Sequence, residues 1–166
     1  HIISRYFKNI KFLVNDILMN ILNINELFVP VNTFGRQSVE YAKRIDNEYA
    51  SDAQILNFPA GICSRKIKGR IIDLEWRKSF ISKSIQHKRD IVPVHFGGRN
   101  SKFFYNLSNI RKALGIKTNI ELFFLADEMY KQRNKTVSVK FGKPISFNTF
   151  DKSKNYQELA KYVKDE

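Results

Sequence analysis

Short apolar runs of β character alternate along this chain with stretches of helical period. Lys11–Asn15, Leu27–Asn32, Gln54–Pro59 and Asp90–Phe96 are brief, rich in Ile, Val, Leu and Phe, and bounded by polar residues, so they predict strands. Thr136–Phe141 alternates apolar and polar positions, as a strand with one wetter face does. Between these runs, Arg36–Tyr49 puts Val39, Ala42, Ile45 and Tyr49 on one side of a helix, and Leu74–Lys88 gathers Leu74, Phe80, Ile81 and Ile85. Phe103–Leu114 and Tyr156–Val163 predict two more helices, with Gly115 placed to stop the first, while Phe123–Met129 fits either state. The alternation predicts an α/β fold: a mainly parallel central sheet flanked by helices on both faces, in a single domain. Ligands of such sheets bind beyond the carboxyl ends of the strands. The loops after Asn15, Asn32, Pro59 and Phe96 are therefore the expected seat of chemistry, with those after Pro59 and Phe96 opening on the same side.

At 166 residues, 43% hydrophobic and 13% aromatic, the chain has the length of one domain and can bury a core. A single cysteine, Cys63, excludes an internal disulfide framework and a Cys-based zinc cluster. No apolar run approaches the roughly 18 residues of a spanning helix, and no signal-peptide pattern is present. The chain begins with His1 in what reads as the middle of a helix, which points to a fragment.

Charge changes the picture more. The 29 Lys+Arg stand against 16 Asp+Glu, a net +13. Residues 1–57 hold six basic and six acidic side chains, so the whole excess lies in 58–166. It is densest from Arg65 to Arg89, where nine basic residues face only Asp73 and Glu75. A field of that sign attracts nucleic acid, anionic lipid, or an acidic carrier protein; the plain alternative is a solvated, solubilising surface.

The most informative stretch runs from Phe58 through Pro59, Ala60, Gly61, Ile62, Cys63, Ser64, Arg65 and Lys66, with Lys68 and Arg70 following. Pro59 cannot donate to a sheet ladder and ends the strand, and Gly61 gives the backbone a turn closed to other residues. A hydroxyl and several cations come next. Backbone N–H groups of a Gly turn and an Arg fork suit phosphate or carboxylate, and Arg65 is the foremost candidate to hold one. The competing reading of Arg65 is that it pairs with a carboxylate and only secures the loop.

Phe58-Pro59-Ala60-Gly61 followed by Ser64-Arg65 resembles the third block of the glycerolipid (PlsC-type) acyltransferase superfamily, usually Phe-Pro-Glu-Gly-x-x-Ser-Arg. Ile91-Val92-Pro93-Val94 is similar to the fourth block, and Phe28-Val29-Pro30-Val31 stands where the second would be. Asp73-Leu74-Glu75-Trp76 and Gly97-Gly98-Arg99-Asn100-Ser101 look like a hemolysin-like branch related to enzymes that acylate amino acids or ornithine lipids. The resemblance implies a glycerol-3-phosphate acyltransferase-like fold. It also implies transfer of a fatty acyl group from acyl carrier protein or coenzyme A to a lipid or amino-acid-containing acceptor, with no other cofactor.

In that family a first block, His-x4-Asp, supplies the chemistry: the His is general base on the acceptor and the Asp orients it. Here His1, His87 and His95 are followed five places later by Tyr6, Val92 and Asn100. The expectation is a domain fragment, 1–166, whose catalytic block lies upstream and which is inactive alone. Two departures concern the acceptor. Ala60 stands where the third block has Glu, and Val31-Asn32 where the second has an Arg. Those positions help hold glycerol phosphate in the family, so a different acceptor gains weight. The resemblance assigns substrate binding to Asn32, Phe58, Pro59, Ala60, Gly61, Ser64, Arg65, Lys66 and Arg70.

Other residues have plainer readings. Cys63 lacks a sequence-adjacent base and reads as packing. His95 near a strand end is a structural His or a site neighbour. His87 closes a basic helix, and Asp73 and Glu75 open it, as the helix dipole favours. Trp76, Phe80 and Ile81 form core or a membrane-facing patch. No His, Cys, Asp or Glu spacing suggests a metal. The first reading is thus an acyltransferase at the cytoplasmic face of the membrane, peripheral, with the basic helix Leu74–Arg89 drawing anionic lipid or carrier protein. A basic nucleic-acid-binding domain, supported by +13 but by no motif, and a noncatalytic lipid-binding remnant of the same fold are the alternatives.

Overall fold

The computed structural model describes residues 3–15, 25–32, 38–151 and 154–166. The expected loop after Asn15 and the expected helix start at Arg36 lie outside the described residues. The chain divides into two compact units, each assembled from separate segments.

The first unit comprises His1–Ile62, Glu75–Ile91 and Pro144–Glu166. Its sheet is parallel with strand order β2-β1-β3, where β1 is Ile10–Asn15, β2 is Phe28–Val31 and β3 is Gln54–Leu56. Phe12 stands opposite Phe28 on one side and Leu56 on the other. The expected parallel sheet is therefore present. Helix α1, Val39–Ala50, opens with the Ser38 hydroxyl accepting from the Tyr41 N–H at 3.1 Å. It lays Ile45 and Tyr49, one turn apart, against Val29, with Leu13, Val31 and Ile55 around them. Val39, expected on the same buried stripe, is 73% exposed.

A second cluster in this unit joins α2, Ser79–His87, to α5, Tyr156–Asp165. Phe80, Ile81, Ile145, Phe150, Leu159, Ala160 and Val163 are buried together, with Trp76 packed against them. The core reading of Phe80 and Ile81 is the one realised. The helix expected from Leu74 begins only at Ser79. The intervening backbone groups are taken by tertiary partners: the Arg77 N–H donates to the Pro59 carbonyl at 3.0 Å, and the Trp76 carbonyl accepts from the Gln157 amide at 2.7 Å.

The second unit comprises Cys63–Leu74 and Val92–Lys143. Its hairpin of β4, Arg65–Ile67, and β5, Arg70–Ile72, turns through Lys68 and Gly69, both at positive φ (48° and 78°), the pattern of a tight primed turn. The run expected as a fourth parallel strand behaves differently. Ile91 bridges Ile145, whereas β6, Val94–Phe96, pairs antiparallel with β7, Val139–Phe141. Pro93 between them has no N–H to continue one ladder, and its carbonyl instead accepts from the Gly142 N–H at 2.8 Å. Helix α3, Lys102–Ala113, closes as expected at Gly115, whose N–H donates to the Lys112 carbonyl. Phe123–Met129 is helical: a short 3₁₀ turn, Ile120–Phe124, leads into α4, Leu125–Tyr130.

Ile81 is fully buried, so Ile81→Ala should lower the unfolding free energy in urea by about 2–5 kcal/mol. The exposed Val39→Ala should stay within about 0.5 kcal/mol of the parent.

Candidate functional site

The third-block loop is divided between the two units. In the first, β3 runs out into a turn closed by the Gly61 N–H on the Phe58 carbonyl at 2.9 Å, with Gly61 at φ +71°. Phe58 is exposed. The Pro59 carbonyl accepts the Arg77 N–H noted above, and a β-carbon built at Gly61 would lie 3.5 Å from Arg77 Cζ. The turn is thus backed by an exposed arginine that sequence reasoning did not single out. Pattern could not reveal it, because what brings Arg77 there is a backbone hydrogen bond. Asn32 lies half-buried just past the end of β2, and Ala60 is half-buried within the turn.

In the second unit the rest of the loop is built around Arg65, which opens β4 and is 1% exposed. Its Nη2 donates to Glu121 Oε1 at 2.9 Å, and its Nη1 to the carbonyls of Cys63 and Ser64 at 3.2 and 3.4 Å. The other oxygen of Glu121 accepts from Arg111 Nε at 2.9 Å, and Arg111 Nη1 donates to the Ile116 carbonyl at 2.6 Å. Glu121 is wholly buried, so two guanidinium groups neutralise one carboxylate away from water. The Arg65 guanidinium also lies 6.0 Å from the centre of the Phe104 ring. This is the arrangement of the loop-securing reading. Lys66 is half-buried, with its carbonyl accepting from Asn109 Nδ2 at 3.3 Å, and Arg70 is exposed on β5.

Ser64 reaches a different neighbour: its hydroxyl lies 3.2 Å from that of Tyr105. The Tyr105 hydroxyl also accepts from the Asn100 N–H at 3.3 Å. These groups line a cavity of about 230 Å³ with Gly97, Gly98 and Arg99, so Ser64 of the third block and the segment after β6 share one wall. Gly97 is held by its N–H on the Ser138 carbonyl at 2.7 Å, and a β-carbon there would collide with the Ser138 hydroxyl. A larger cavity of about 460 Å³ lies in the first unit, between the Glu75–Trp76 segment and α5. It contains none of the block residues, so the smaller one is the better candidate.

The remaining titratable groups are placed as follows. Burial pushes the Cys63 thiol above its ordinary range, with Arg65 opposing, so Cys63 stays a thiol and a poor nucleophile. His95 is exposed on β6, opposite Lys140. His87 Nε2 lies 3.0 Å from Asp46 Oδ1, and its ring stacks on Tyr49 at 5.7 Å between centres. Lys83 also binds Asp46, and it, with His87, holds the Asp46 carboxyl below its usual value. Among the described residues no group of three or more His, Cys, Asp and Glu is placed to hold a metal ion. No helix among them is long and apolar enough to cross a membrane.

Comparison with known proteins decides the family. The family described as Acyltransferase matches residues 1–166. This chain belongs to the acyltransferase family. A lyso-glycine lipid O-acyltransferase of Bacteroides thetaiotaomicron is 55% identical over 166 residues, covering 99% of this acyltransferase chain and 61% of that protein. One of the same name from Phocaeicola vulgatus is 52% identical over 162 residues, covering 98% and 58%. The acyltransferase chain thus spans about three fifths of the length of the curated relatives it matches. No solved structure matches it.

The Asp46 cluster gives this acyltransferase chain a pH signature. A carboxyl whose folded pKa is depressed contributes stability that is full above its unfolded value, 3.8, and lost as pH falls through the folded value. Asp46→Asn should therefore lower stability at neutral pH, by no more than about 1 kcal/mol for so exposed a group. The gap should close as pH falls below about 4 in paired thermal melts. A gap that stays constant over that range contradicts the assignment.

Proposed function

We propose that the intact protein transfers a fatty acyl group from a thioester, on acyl carrier protein or coenzyme A, to the hydroxyl of a glycine-based lyso-lipid. The observation that carries this reading is the 55% identity, over 99% of the chain, to a protein named for that O-acylation. In the reaction the acceptor oxygen attacks the thioester carbonyl, its proton passes to a base, and the C–S bond breaks to release the thiol. No His-x4-Asp occurs in these 166 residues, so the base is proposed to come from outside them. The fold is read as part of a glycerol-3-phosphate acyltransferase-like domain.

A glycine-based acceptor has no glycerol phosphate to hold. Ala60 in place of Glu, and Val31-Asn32 in place of Arg, fit that loss of glycerol-phosphate ligands. Of the residues the resemblance assigns to the acceptor, Ser64 lines the cavity of the second unit, where its hydroxyl is proposed to meet substrate; the roles of Asn32, Phe58–Gly61, Lys66 and Arg70 rest on the resemblance. Arg65 secures the loop through Glu121. The peripheral placement at the cytoplasmic face of the membrane belongs to the same proposal.

The test is thiol release and ester formation by the purified intact protein, offered an acyl thioester with either lyso-glycine lipid or lysophosphatidate. The proposal expects turnover with the glycine lipid at least tenfold faster, about the discrimination a single mismatched charged contact provides. Residues 1–166 alone should fall at least about 10²-fold below the intact protein for want of the base. Preference for lysophosphatidate overturns the acceptor assignment, and full turnover by residues 1–166 overturns the assignment of the base.

A further inference from the structure

The second unit displays large apolar side chains that no described neighbour covers. Phe123 at the 3₁₀ turn is 82% exposed, and Met129 and Tyr130 at the end of α4 are 75% and 65% exposed. Phe103 and Phe124 stand beside them as an edge-to-face pair, 5.1 Å between ring centres, both open to solvent. Along α3 the exposed apolar stripe continues from Phe103 through Ile110 to Leu114, at helical spacing. Single exposed apolar residues are ordinary, but a group of this size concentrated on two adjoining helical segments marks a contact surface.

The charge on the same segments names the partner. Between residues 102 and 135 the exposed cations are Lys102, Lys112, Lys117, Lys131, Arg133 and Lys135. Arg111 is turned inward, and Glu121 and Glu128 are buried, which leaves Asp127 as the one exposed carboxylate of the stretch. Two of the cations sit on the aromatic rings themselves: Lys131 Nζ is 6.0 Å from the Phe103 centroid, and Arg133 Cζ is 5.9 Å from that of Tyr130. Lys131 is shared with Asp127 and Glu128, so the remaining five carry the net positive field. Exposed aromatic and aliphatic tips on a stretch of net positive charge, two of them with a cation beside the ring, are the pattern of a surface that sinks shallowly into an anionic bilayer, the rings at headgroup depth and the cations among the phosphates.

From this juxtaposition we infer that the face formed by the start of α3, the 3₁₀ turn and α4 docks on anionic lipid bilayers and so brings the active site to a membrane-borne acceptor. The last clause rests on the proposed lipid acceptor; the docking itself does not. The surface is distinct from the basic segment Leu74–Arg89, whose apolar residues Phe80 and Ile81 are committed to the core of the first unit.

The experiment uses the intact protein, with whatever residues flank this chain, and vesicles of phosphatidylcholine with or without about one-third phosphatidylglycerol. Two double variants are compared with the parent by co-sedimentation: Phe123→Ser with Met129→Ser, and Lys102→Glu with Arg133→Glu. All four positions are exposed, and unchanged thermal melts confirm the fold. The apolar pair should weaken partitioning onto anionic vesicles at least about tenfold, and the charge pair should do the same while flattening the salt dependence. Transfer to a water-soluble acceptor analogue should be unchanged in both. If both variants partition within about twofold of the parent, the inference is overturned, as it is if they lose carrier-protein binding but keep vesicle binding. Loss of vesicle binding in a protein that fails to acylate lyso-glycine lipid would leave the docking face standing and remove only the acceptor.

Discussion

The buried pairing of Arg65 and Arg111 with Glu121 is the constraint on which the candidate loop depends. One carboxylate, inaccessible to water, accepts from two guanidinium groups drawn from β4 and α3, and those groups in turn hold the carbonyls of Cys63, Ser64 and Ile116. Burying three charges is costly unless each donor and acceptor is matched, and removing one partner typically costs about 3–5 kcal/mol because another is left uncompensated. The same pairing fixes Ser64 beside Tyr105 and so shapes the small cavity that the segment Gly97–Asn100 completes.

What the sequence made legible was local. The strands around Phe28–Val31 and Gln54–Leu56, the stop at Gly115 and the burial of Phe80 and Ile81 each follow from the pattern of near neighbours. What it hid was long-range. The period of Asp90–Phe96 says strand but does not name a partner, and Pro93 lets the run divide between Ile145 and β7. Lys68-Gly69 is a weaker hairpin signal than Asn-Gly, and the hairpin went unforeseen. Arg65 was legible as important but not in its direction: Glu121 is 56 positions away, in a segment that reads as hydrophobic. Asp46 and His87, 41 positions apart, were likewise joined only by the packing of α1 on α2.

The same limits shape the functional account. Family membership rests on motifs and on identity along nearly the whole chain, whereas the acceptor rests on what two relatives are named for. The structure itself contributes two observations that bear on that proposal: Ala60 lies half-buried in the Gly61 turn, and Phe123, Met129 and Tyr130 are exposed on the second unit.

The central claim is that Arg65 acts through Glu121 as the anchor of the third-block loop. A double-mutant cycle on the intact protein, Arg65→Met, Glu121→Gln and the two together, measures it directly by denaturant unfolding. The account predicts that the pair is far less destabilised than the sum of the single changes, with a coupling of about 2–3 kcal/mol. Additivity within about 0.5 kcal/mol would contradict it.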